Sequence, residues 1–218
     1  MNSKKIAVYG AGGCGREVAW LAQSIQDDQK QFEVVCFIDD NPDLWGKFLN
    51  DIRIISFDDA KKEFSNTNIV GAIGAPKIRE ITIRKAESVG FGFERLIHPR
   101  AEMSKWIEIG EGTVICAGNI LTTNIVLGRH VQINLNCTVG HDVIMEEYAT
   151  LAPGVHVSGC VHIGKRAYIG TGAVIINGTQ NDPVVIGADA VISAGSFVTR
   201  SIPPGETWCG VPARILHR

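Results

Sequence analysis

The stretch NCTVGHDVIMEEYATLAPGVHVSG, residues 136–159, decides the fold of the second half of this chain. Its aliphatic residues follow neither the 3.6-residue period of a helix nor the two-residue alternation of a strand. They recur at every sixth residue, and this spacing is unbroken at Ile109, Ile115, Leu121, Leu127, Ile133, Val139, Met145, Leu151, Val157, Ile163, Ile169 and Ile175. The register starts earlier, at Ile97 and Met103, and resumes after an interruption at Ile186, Ile192 and Val198.

A six-residue period predicts a parallel β-helix, in which each short strand ends in a turn and three hexads complete one coil. Each aliphatic side chain then points inward and stacks on its equivalent one coil later. Glycine often follows the aliphatic residue, as at Gly110, Gly128 and Gly140. We expect these glycines to tolerate the backbone conformation of a coil corner.

The register is interrupted once, in the segment INGTQNDPVV, residues 176–185. Ile175 and Ile186 lie eleven residues apart, so the segment adds five residues to one hexad. Its Asn, Gly, Asp and Pro residues predict an extruded loop. Two interpretations stay open, a tolerated surface insertion and a loop that reaches a functional site.

Residues 4–96 follow a different pattern, in which strand-like and helix-like segments alternate. The strand-like segments are KKIAVYG, FEVVCFIDD, IRIIS and NIVGAIG, and the helix-like segments are GREVAWLAQSI and KIREITIRKAESVG. This alternation predicts a small parallel α/β domain. We therefore divide the chain into an α/β domain at residues 1–96 and a β-helix with a C-terminal extension at residues 97–218.

The first turn of the α/β domain, GAGGCG, fits the pattern GxGxxG at Gly10, Gly12 and Gly15. It follows a strand and opens a helix, whose first amides can hold a phosphate. Asp39 and Asp40 end the second strand, where a ribose or base is usually contacted. The domain has room for only one mononucleotide-binding half, which favours a nucleotide with one base over a dinucleotide. Alternatively, Gly12 and Gly15 only permit close packing of the strand and the helix.

The composition narrows the class of protein further. The net charge of −2 gives no indication of a nucleic-acid partner. The six cysteines are scattered singly, which predicts reduced thiols and a cytoplasmic protein. The N-terminal residues lack the apolar core of a signal peptide, and no apolar run is long enough to insert into a membrane.

Taken together, the motifs resemble one family, the hexapeptide-repeat sugar acetyltransferases. This family includes sialic acid O-acetyltransferases and the N-acetyltransferases of nucleotide-linked 4-amino sugars. The motifs that carry the resemblance are YGAGGCGREV, FIDDNP, GAIGAPKIR, LIHPRA, GHD, GVHVSGCVHIG and GVPAR. The resemblance implies coils that wind left-handed, acetyl-CoA as the co-substrate, no metal, and a homotrimer with its active sites at the subunit boundaries.

The resemblance also implies the roles of individual residues. His141 falls on the general base of the family, and Asp142 on the adjacent carboxylate. Positions matching acetyl-CoA contacts are Thr150, Gly159, Gly170, Thr171, Ala194 and Pro212, of which Thr150 replaces a histidine found in one relative. Positions matching the nucleotide-sugar site are Gly10, Gly12, Gly13, Cys14, Asp39, Asp40 and Gly74, of which Cys14 replaces a common histidine.

The chemistry expected at His141 follows from its pair with Asp142. An unperturbed imidazole accepts a proton near neutral pH, and a carboxylate on its other nitrogen fixes the tautomer. Adjacent residues of an extended strand point to opposite faces, so the pair can form only at a coil corner. We expect His156 and His162, one hexad apart, to stack on an outer face, and a metal site there has little support because no carboxylate lies between them.

Three functions remain open at this point. The first is N-acetylation of a nucleotide-linked 4-amino sugar in cell-surface glycan biosynthesis, and the second is O-acetylation of sialic acid or a related sugar. The third is a non-catalytic scaffold or nucleotide-sugar sensor, which needs neither the GHD motif nor the GVPAR motif. The sequence does not reveal the base or the sugar. We expect a trimer to cover four outward residues, Ala117, Leu135, Cys137 and Ala152.

Overall fold

A computed structural model describes residues 3–27 and 30–217 of the protein. The chain forms two compact units, Met1–Pro99 and Arg100–Arg218. The division lies three residues beyond the one drawn from the sequence. No helix in the described ranges is long and apolar enough to cross a membrane.

The first unit alternates strands and helices. In chain order its elements are β1 (Lys4–Tyr9), α1 (Gly13–Ser24), β2 (Gln26–Asp27), β3 (Lys30–Ile38), β4 (Phe48–Leu49), β5 (Ile52–Ile55), α2 (Phe57–Glu63), β6 (Asn68–Gly71), α3 (Pro76–Glu87) and β7 (Leu96–Ile97). The strands β4, β5, β3, β1 and β6 lie side by side in that order, and β5, β3, β1 and β6 run parallel. The residues Ile6, Val8, Phe37 and Ile69 are fully buried, which places the core on this sheet.

Three elements of this unit were not predicted, namely the strands β2 and β4 and the helix α2. The hairpin of β4 and β5 is antiparallel, and α2 begins after Ser56. The Ser56 hydroxyl accepts a hydrogen bond from the Asp59 amide at 3.0 Å, so it caps the helix. The remaining helices and strands overlap the predicted segments, with ends that differ by at most three residues.

The second unit consists of short strands of two or three residues. They are β8 (Glu102–Met103), β9 (Ile107–Ile109), β10 (Val114–Ile115), β11 (Ile120–Leu121), β12 (Ile125–Leu127), β13 (Gln132–Ile133), β14 (Thr138–Val139), β15 (Ile144–Met145), β16 (Thr150–Leu151), β17 (His156–Val157), β18 (Val161–Ile163), β19 (Tyr168–Ile169), β20 (Val174–Ile175), β21 (Val184–Ile186), β22 (Val191–Ile192), β23 (Phe197–Val198), β24 (Thr207–Cys209) and β25 (Arg214–Ile215).

Every third strand pairs in parallel, so the chain coils around three sheets. One sheet runs from β10 through β13, β16, β19 and β22 to β24, and β25 adds an antiparallel edge. The second runs from β8 to β23 and the third from β9 to β21. Ile115 pairs with Ile133 and Leu121 with Val139, so one coil contains eighteen residues, or three hexads.

The aliphatic position of the hexad fills the interior of the coil. From Ile115 to Ile175 these side chains are at most 3% exposed, whereas Ile109 is partly exposed. A second interior column comes from the residue four positions later, such as Val131, Val143 and Val155, which are fully buried. Cys137 belongs to this column and is also fully buried, so its placement on the outer surface was wrong. Ala117 and Ala152 are buried as well.

The corners of the coil follow the same six-residue period. From Ile109 to Ile169, the third residue after each inward aliphatic residue takes a positive φ, as at Gly118 (73°), Asn124 (53°), Asp142 (57°) and Cys160 (55°). This left-handed conformation turns the chain by one corner and favours Gly, Asn and Asp.

The glycines directly after the aliphatic residue have a different role from the one expected. Gly128 and Gly140 lie outside the positive-φ region, but a Cβ at Gly140 would lie 2.6 Å from the backbone nitrogen of Gly159. They are required because the backbone of the next coil passes so close. The extruded segment adds its five residues between β20 and β21. Tyr168 therefore pairs with Val191, five residues later than the eighteen-residue spacing would give.

Replacing one of these glycines tests the role of close coil contact. A Cβ at Gly164 would lie 2.6 Å from the Ala188 nitrogen, so Gly164→Ala forces two coils apart. We expect it to lower the free energy of unfolding by about 1–3 kcal/mol. Gly172 is the matched control, because it has a φ of 68° and nothing within 4 Å of a built Cβ. Gly172→Asn, which suits that conformation, should change the urea midpoint little, and equal losses in both variants would contradict this explanation.

Candidate active site

A cavity of about 450 Å³ lies in the first unit at the carboxyl edge of the sheet. Its wall includes all seven residues expected for a nucleotide sugar, namely Gly10, Gly12, Gly13, Cys14, Asp39, Asp40 and Gly74. Gly10 follows β1, Asp39 follows β3, and Gly74 lies three residues after β6. Because the order of the strands reverses at β1, their ends leave a crevice there, as in other open parallel sheets.

The glycines of the first turn divide into two pairs. Gly10 has a φ of 119°, and a Cβ there would lie 2.7 Å from the Ala72 carbonyl oxygen. A Cβ at Gly15 would collide with the Gly10 carbonyl, so these two glycines permit the turn and the contact between β1 and α1. A Cβ at Gly12 would meet nothing within 4 Å, and one at Gly13 only the end of the Arg16 side chain. Gly12 and Gly13 therefore leave the cavity open, whereas Gly15 serves packing.

The amino end of α1 faces this cavity without a side-chain cap. Its N-cap residue is Gly12, which has no side chain to accept a hydrogen bond from the first turn. The first amides of a helix attract an anion, so the turn can hold a phosphate group. Burial raises the pKa of the neighbouring Cys14 thiol to about 11, so Cys14 presents a neutral thiol to the cavity.

Asp39 connects the two loops that border the cavity. Its Oδ2 accepts a hydrogen bond from the Ala11 amide at 2.9 Å, and its Oδ1 accepts one from the Asn41 amide at 2.9 Å. The Trp45 indole donates to the Asp39 carbonyl at 2.8 Å. The carboxylate therefore fixes the glycine turn in place.

Asp40 has different partners and a more exposed side chain. The Tyr9 hydroxyl donates to its carboxylate at 3.0 Å, and the Lys85 ammonium lies 2.7 Å from Oδ1. Burial and the nearby Asp40 raise the pKa of Tyr9, which stays a hydrogen-bond donor. Sequence reasoning missed Tyr9, although its place as the last residue of β1 was a usable signal.

In the second unit, His141 and Asp142 lie together at a coil corner. Asp142 takes the left-handed conformation, with a φ of 57°, which breaks the strand alternation and brings the two side chains to one side. The distance from His141 Nδ1 to Asp142 Oδ2 is 2.8 Å. With its proton on Nδ1, His141 donates to the carboxylate and leaves the lone pair of Nε2 available as a base. The pair therefore forms at a corner, as its sequence position required.

The other carboxylate oxygen of Asp142 is also held. Asn124, one coil earlier, donates from Nδ2 to Asp142 Oδ1 at 3.4 Å. The hydrogen bond from His141, with a smaller contribution from Asn124, lowers the pKa of Asp142 below its ordinary value. Asp142 thus remains a carboxylate at neutral pH, as a group that stabilises an imidazolium must.

Gly159 lies one coil after His141 and leaves room for its ring. A Cβ at Gly159 would collide with the His141 Nε2 atom, so only glycine allows this arrangement. Among the described residues, no acceptor takes the Gly159 amide. At the equivalent position of a neighbouring corner, the Lys165 amide donates to the Glu146 carboxylate at 2.8 Å, which shows that this amide points outward. A free donor therefore lies beside Nε2.

The extruded segment lies close to this corner. Thr179, Gln180 and Pro183 line a cavity of about 230 Å³ together with Asp142 and Cys160. Of the two interpretations of the segment, this geometry favours a loop that reaches the site.

The remaining residues expected to contact acetyl-CoA do not meet His141 within one chain. Thr150 is 1% exposed, so its side chain is not accessible from solvent. Gly170, Thr171 and Ala194 occupy a different corner, between β19 and β20 and between β22 and β23. Pro212 is exposed in the turn between β24 and β25.

His156 and His162 lie on two different sheets, so the expectation that they stack was wrong. His156 belongs to β17 and its Nδ1 contacts the Thr138 hydroxyl at 2.9 Å. His162 belongs to β18 and its Nε2 contacts Glu146 at 3.0 Å. Residues stack on one face only when they are eighteen apart, whereas these two are six apart.

Comparison with known proteins finds relatives that are similar along nearly the whole chain. A family model of the PglD N-terminal domain matches residues 5–86. GDP-perosamine N-acetyltransferase from Escherichia coli O157:H7 is 37% identical over 216 residues, which cover 97% of this chain and 96% of that protein. WeeI from Acinetobacter baumannii AYE has a TM-score of 0.89 and 36% identity, with 98% of this chain and 100% of that chain covered.

A further solved structure includes bound ligands. It is a histidine-to-asparagine mutant of perosamine N-acetyltransferase from Caulobacter crescentus in complex with CoA and GDP-perosamine. It has a TM-score of 0.87 and 28% identity, with 98% of this chain and 97% of that chain covered.

The fold and these relatives define an acetyltransferase built on a six-residue repeat. The chain belongs to the family of GDP-perosamine N-acetyltransferase and the related N-acetyltransferases of nucleotide-linked 4-amino sugars. The resemblance drawn from the sequence is thereby confirmed.

The contacts of Asp39 predict a structural role that can be measured without any ligand. In Asp39→Asn, one carboxylate oxygen is replaced by an NH₂ group that faces a backbone N–H donor. We expect the free energy of unfolding to fall by about 1–3 kcal/mol. Asp43→Asn is the control, because the exposed Asp43 carboxylate makes no hydrogen bond or ion pair among the described contacts. Equal urea midpoints for both variants would contradict the role of Asp39.

Proposed function

We propose that this protein transfers an acetyl group from acetyl-CoA to the amino group of a nucleotide-linked 4-amino sugar used in cell-surface glycan synthesis. The observation that carries the proposal is the His141–Asp142 pair, with Nδ1 and Oδ2 2.8 Å apart and Nε2 beside Gly159. The kinship along nearly the whole chain with an N-acetyltransferase favours nitrogen over oxygen as the acceptor. It also speaks against a non-catalytic scaffold.

His141 is the general base of this proposal. Nε2 accepts a proton from the amine as it attacks the thioester carbonyl, and Asp142 stabilises the imidazolium that forms. His141 can then return the proton to the departing thiolate, so that the imidazole is neutral again after each turnover. General base catalysis of this kind supplies on the order of 100- to 10,000-fold.

Gly159 provides the second element of the mechanism. Its free amide lies beside Nε2 and can donate a hydrogen bond to the carbonyl oxygen as negative charge develops there. A positioned backbone donor of this type commonly contributes about 3–4 kcal/mol to transition-state stabilisation. Gly159 also leaves space for the His141 imidazole, so this residue both accommodates the base and donates a hydrogen bond to the oxyanion.

The first unit binds the nucleotide part of the substrate. The amino end of α1 with Gly12 and Gly13 accepts the diphosphate, and the side of the cavity at Asp40 and Tyr9 accepts the nucleoside. Both oxygens of Asp39 are already bonded to backbone amides, so Asp40 is the better candidate for direct contact. The four parallel strands form one mononucleotide-binding half, which suits one base rather than a dinucleotide.

The second unit is a left-handed parallel β-helix, and three copies associate around a threefold axis. Exposed apolar residues on the two sheets beside the His141 corner support this assembly, because Ile120 and Ile144 are each 44% exposed in one chain. In a trimer, the corner with Gly170, Thr171 and Ala194 of one subunit can approach His141 of another. Such an arrangement completes the acetyl-CoA site and creates three equivalent sites. The six free thiols suit the reducing cytoplasm, where acetyl-CoA is available.

A substrate panel tests the function directly. The purified protein is incubated with acetyl-CoA and with GDP-, UDP- and dTDP-linked 4-amino sugars or with sialic acid. Release of free thiol is followed, and mass spectrometry identifies the product. We expect amide formation on a nucleotide-linked amino sugar and no turnover of sialic acid. Transfer only to a hydroxyl group would overturn the proposal in favour of O-acetylation.

Two histidine variants in the same assay test the mechanism. His141→Ala should lower turnover by roughly 100-fold or more while circular dichroism and the unfolding midpoint stay unchanged. His156→Ala is the matched control, because His156 is also exposed on the coil and its ring nitrogen pairs with the Thr138 hydroxyl instead of a carboxylate. A His141→Ala enzyme that retains near wild-type turnover would show that another group removes the proton.

The assembly is tested by light scattering in solution. We expect a mass of three times the 23.6 kDa chain. Replacing Ile144 by Glu, which places a charge on an exposed apolar sheet, should shift the mass toward that of one chain and reduce activity with it. Full activity at the mass of a single chain would rule out a site shared between subunits.

A further inference from the structure

A third side chain, Cys160, lies at the His141–Asp142 corner. One ligand atom from each of His141, Asp142 and Cys160 lies within 4.8 Å of the other two. Cys160 follows Asp142 by eighteen residues and shares its left-handed conformation, with a φ of 55°. The two residues therefore occupy the same corner position in successive coils, and their side chains leave the backbone in the same direction.

These three side chains form a donor set that favours a particular class of metal ion. Imidazole nitrogen, carboxylate oxygen and thiolate sulfur together are ligands of Zn²⁺, whereas Mg²⁺ and Ca²⁺ take oxygen ligands. Three protein ligands also leave one tetrahedral position for water. The bonds to Zn²⁺ are about 2.0–2.3 Å long, so a tetrahedral site places its ligand atoms roughly 3.5 Å apart. Atoms as far apart as 4.8 Å must therefore approach by roughly 1 Å, whereas Nδ1 and Oδ2, now 2.8 Å apart, must separate slightly if both bind the ion. The exposed His141 side chain can rotate by this amount.

An ion can reach the cluster from solvent. Cys160 is only 7% exposed, but it lines the 230 Å³ cavity beside the extruded segment together with Asp142. The His141 side chain is 60% exposed on the other side of the pair. The cluster therefore has an open approach and a buried sulfur, as a selective site for a thiophilic ion requires.

We propose that His141, Asp142 and Cys160 bind a thiophilic divalent cation such as Zn²⁺, and that the bound ion stops acetyl transfer. The binding half of this proposal is independent of the activity, whereas the inhibition half rests on the proposed function. The site is inhibitory because it uses the base itself as a ligand. Sugar acetylation would then respond to the concentration of free zinc.

Metal binding releases one proton and blocks the lone pair that His141 needs as a base. Binding releases the thiol proton of Cys160 to water, and the thiolate, the Asp142 carboxylate and a neutral imidazole hold the ion. If the metal binds Nδ1, the proton of that nitrogen moves to Nε2, which then has no lone pair for the amine. If the metal binds Nε2, it occupies that lone pair directly. His141 loses its function as a base in both cases.

Cobalt provides a test of binding that does not need the substrate. Co²⁺ is titrated into the full-length protein, and the absorption band of a cobalt–thiolate bond is recorded. We expect the band to saturate at one ion per chain and to disappear in Cys160→Ser. Cys160→Gly, which suits the positive φ, serves as a second variant should serine disturb the fold. Cys209→Ser is the control, because Cys209 is partly exposed on β24 and lies outside the cluster.

Zinc is then added to the acetyl-transfer assay, and each variant is compared with itself in the presence of a chelator. We expect the wild-type rate to fall with added zinc and to recover with the chelator. Cys160→Gly should need at least tenfold more zinc for the same inhibition. A cobalt band that persists without Cys160 or vanishes in Cys209→Ser would overturn the site. A Cys160-dependent band without zinc inhibition would overturn the inhibition alone.

Discussion

The left-handed turn residue at every sixth position is the constraint on which the second unit depends. It turns the chain sharply enough for three short strands to close one coil of eighteen residues, and it brings the backbones of successive coils into contact. The same turn ends the strand alternation, so the side chains of His141 and Asp142 leave the corner together. A β-strand would have placed them on opposite faces. The proximity of His141 and Asp142 is therefore a product of the corner geometry.

Because the coils stack in register, the surroundings of each corner residue are fixed by the residues eighteen positions away. Gly159 lies over His141, Cys160 over Asp142, and Asn124 lies under Asp142. The free amide of Gly159 and the thiol of Cys160 thus lie near His141 and Asp142 because of coil stacking alone. The chemistry of the corner can change by substitution in one coil, while the buried aliphatic column maintains the fold.

The sequence was informative wherever a local pattern decides the structure. The six-residue register located the strands and the inward column, and the GxGxxG turn with the strand ends located the cavity. Errors arose where a residue's direction depends on the turn conformation, as for Cys137, and where neighbours in sequence lie on different sheets, as for His156 and His162. The helix α2 was missed although Ser56 and Asp59 form a recognisable start signal. Of the residues expected to hold acetyl-CoA, Gly159 lies at the His141 corner and Gly170, Thr171 and Ala194 lie at another, and this separation follows from the coil geometry.

Asp39 and Asp40 show why a sequence motif can locate a binding site without revealing which residue contacts the ligand. Both residues follow β3 and both match the position expected to contact a nucleoside. Their hydrogen bonds distinguish them. Both oxygens of Asp39 accept hydrogen bonds from the backbone amides of Ala11 and Asn41. Asp40 instead accepts hydrogen bonds from the Tyr9 hydroxyl and the flexible Lys85 side chain. A ligand that bound the Asp39 carboxylate would have to break its hydrogen bonds to the glycine turn. A ligand that binds Asp40 displaces only the Lys85 side chain, which costs less free energy. The two adjacent carboxylates thus differ in role because Asp39 is bound by backbone amides, whereas Asp40 is bound by a mobile side chain that a ligand can displace.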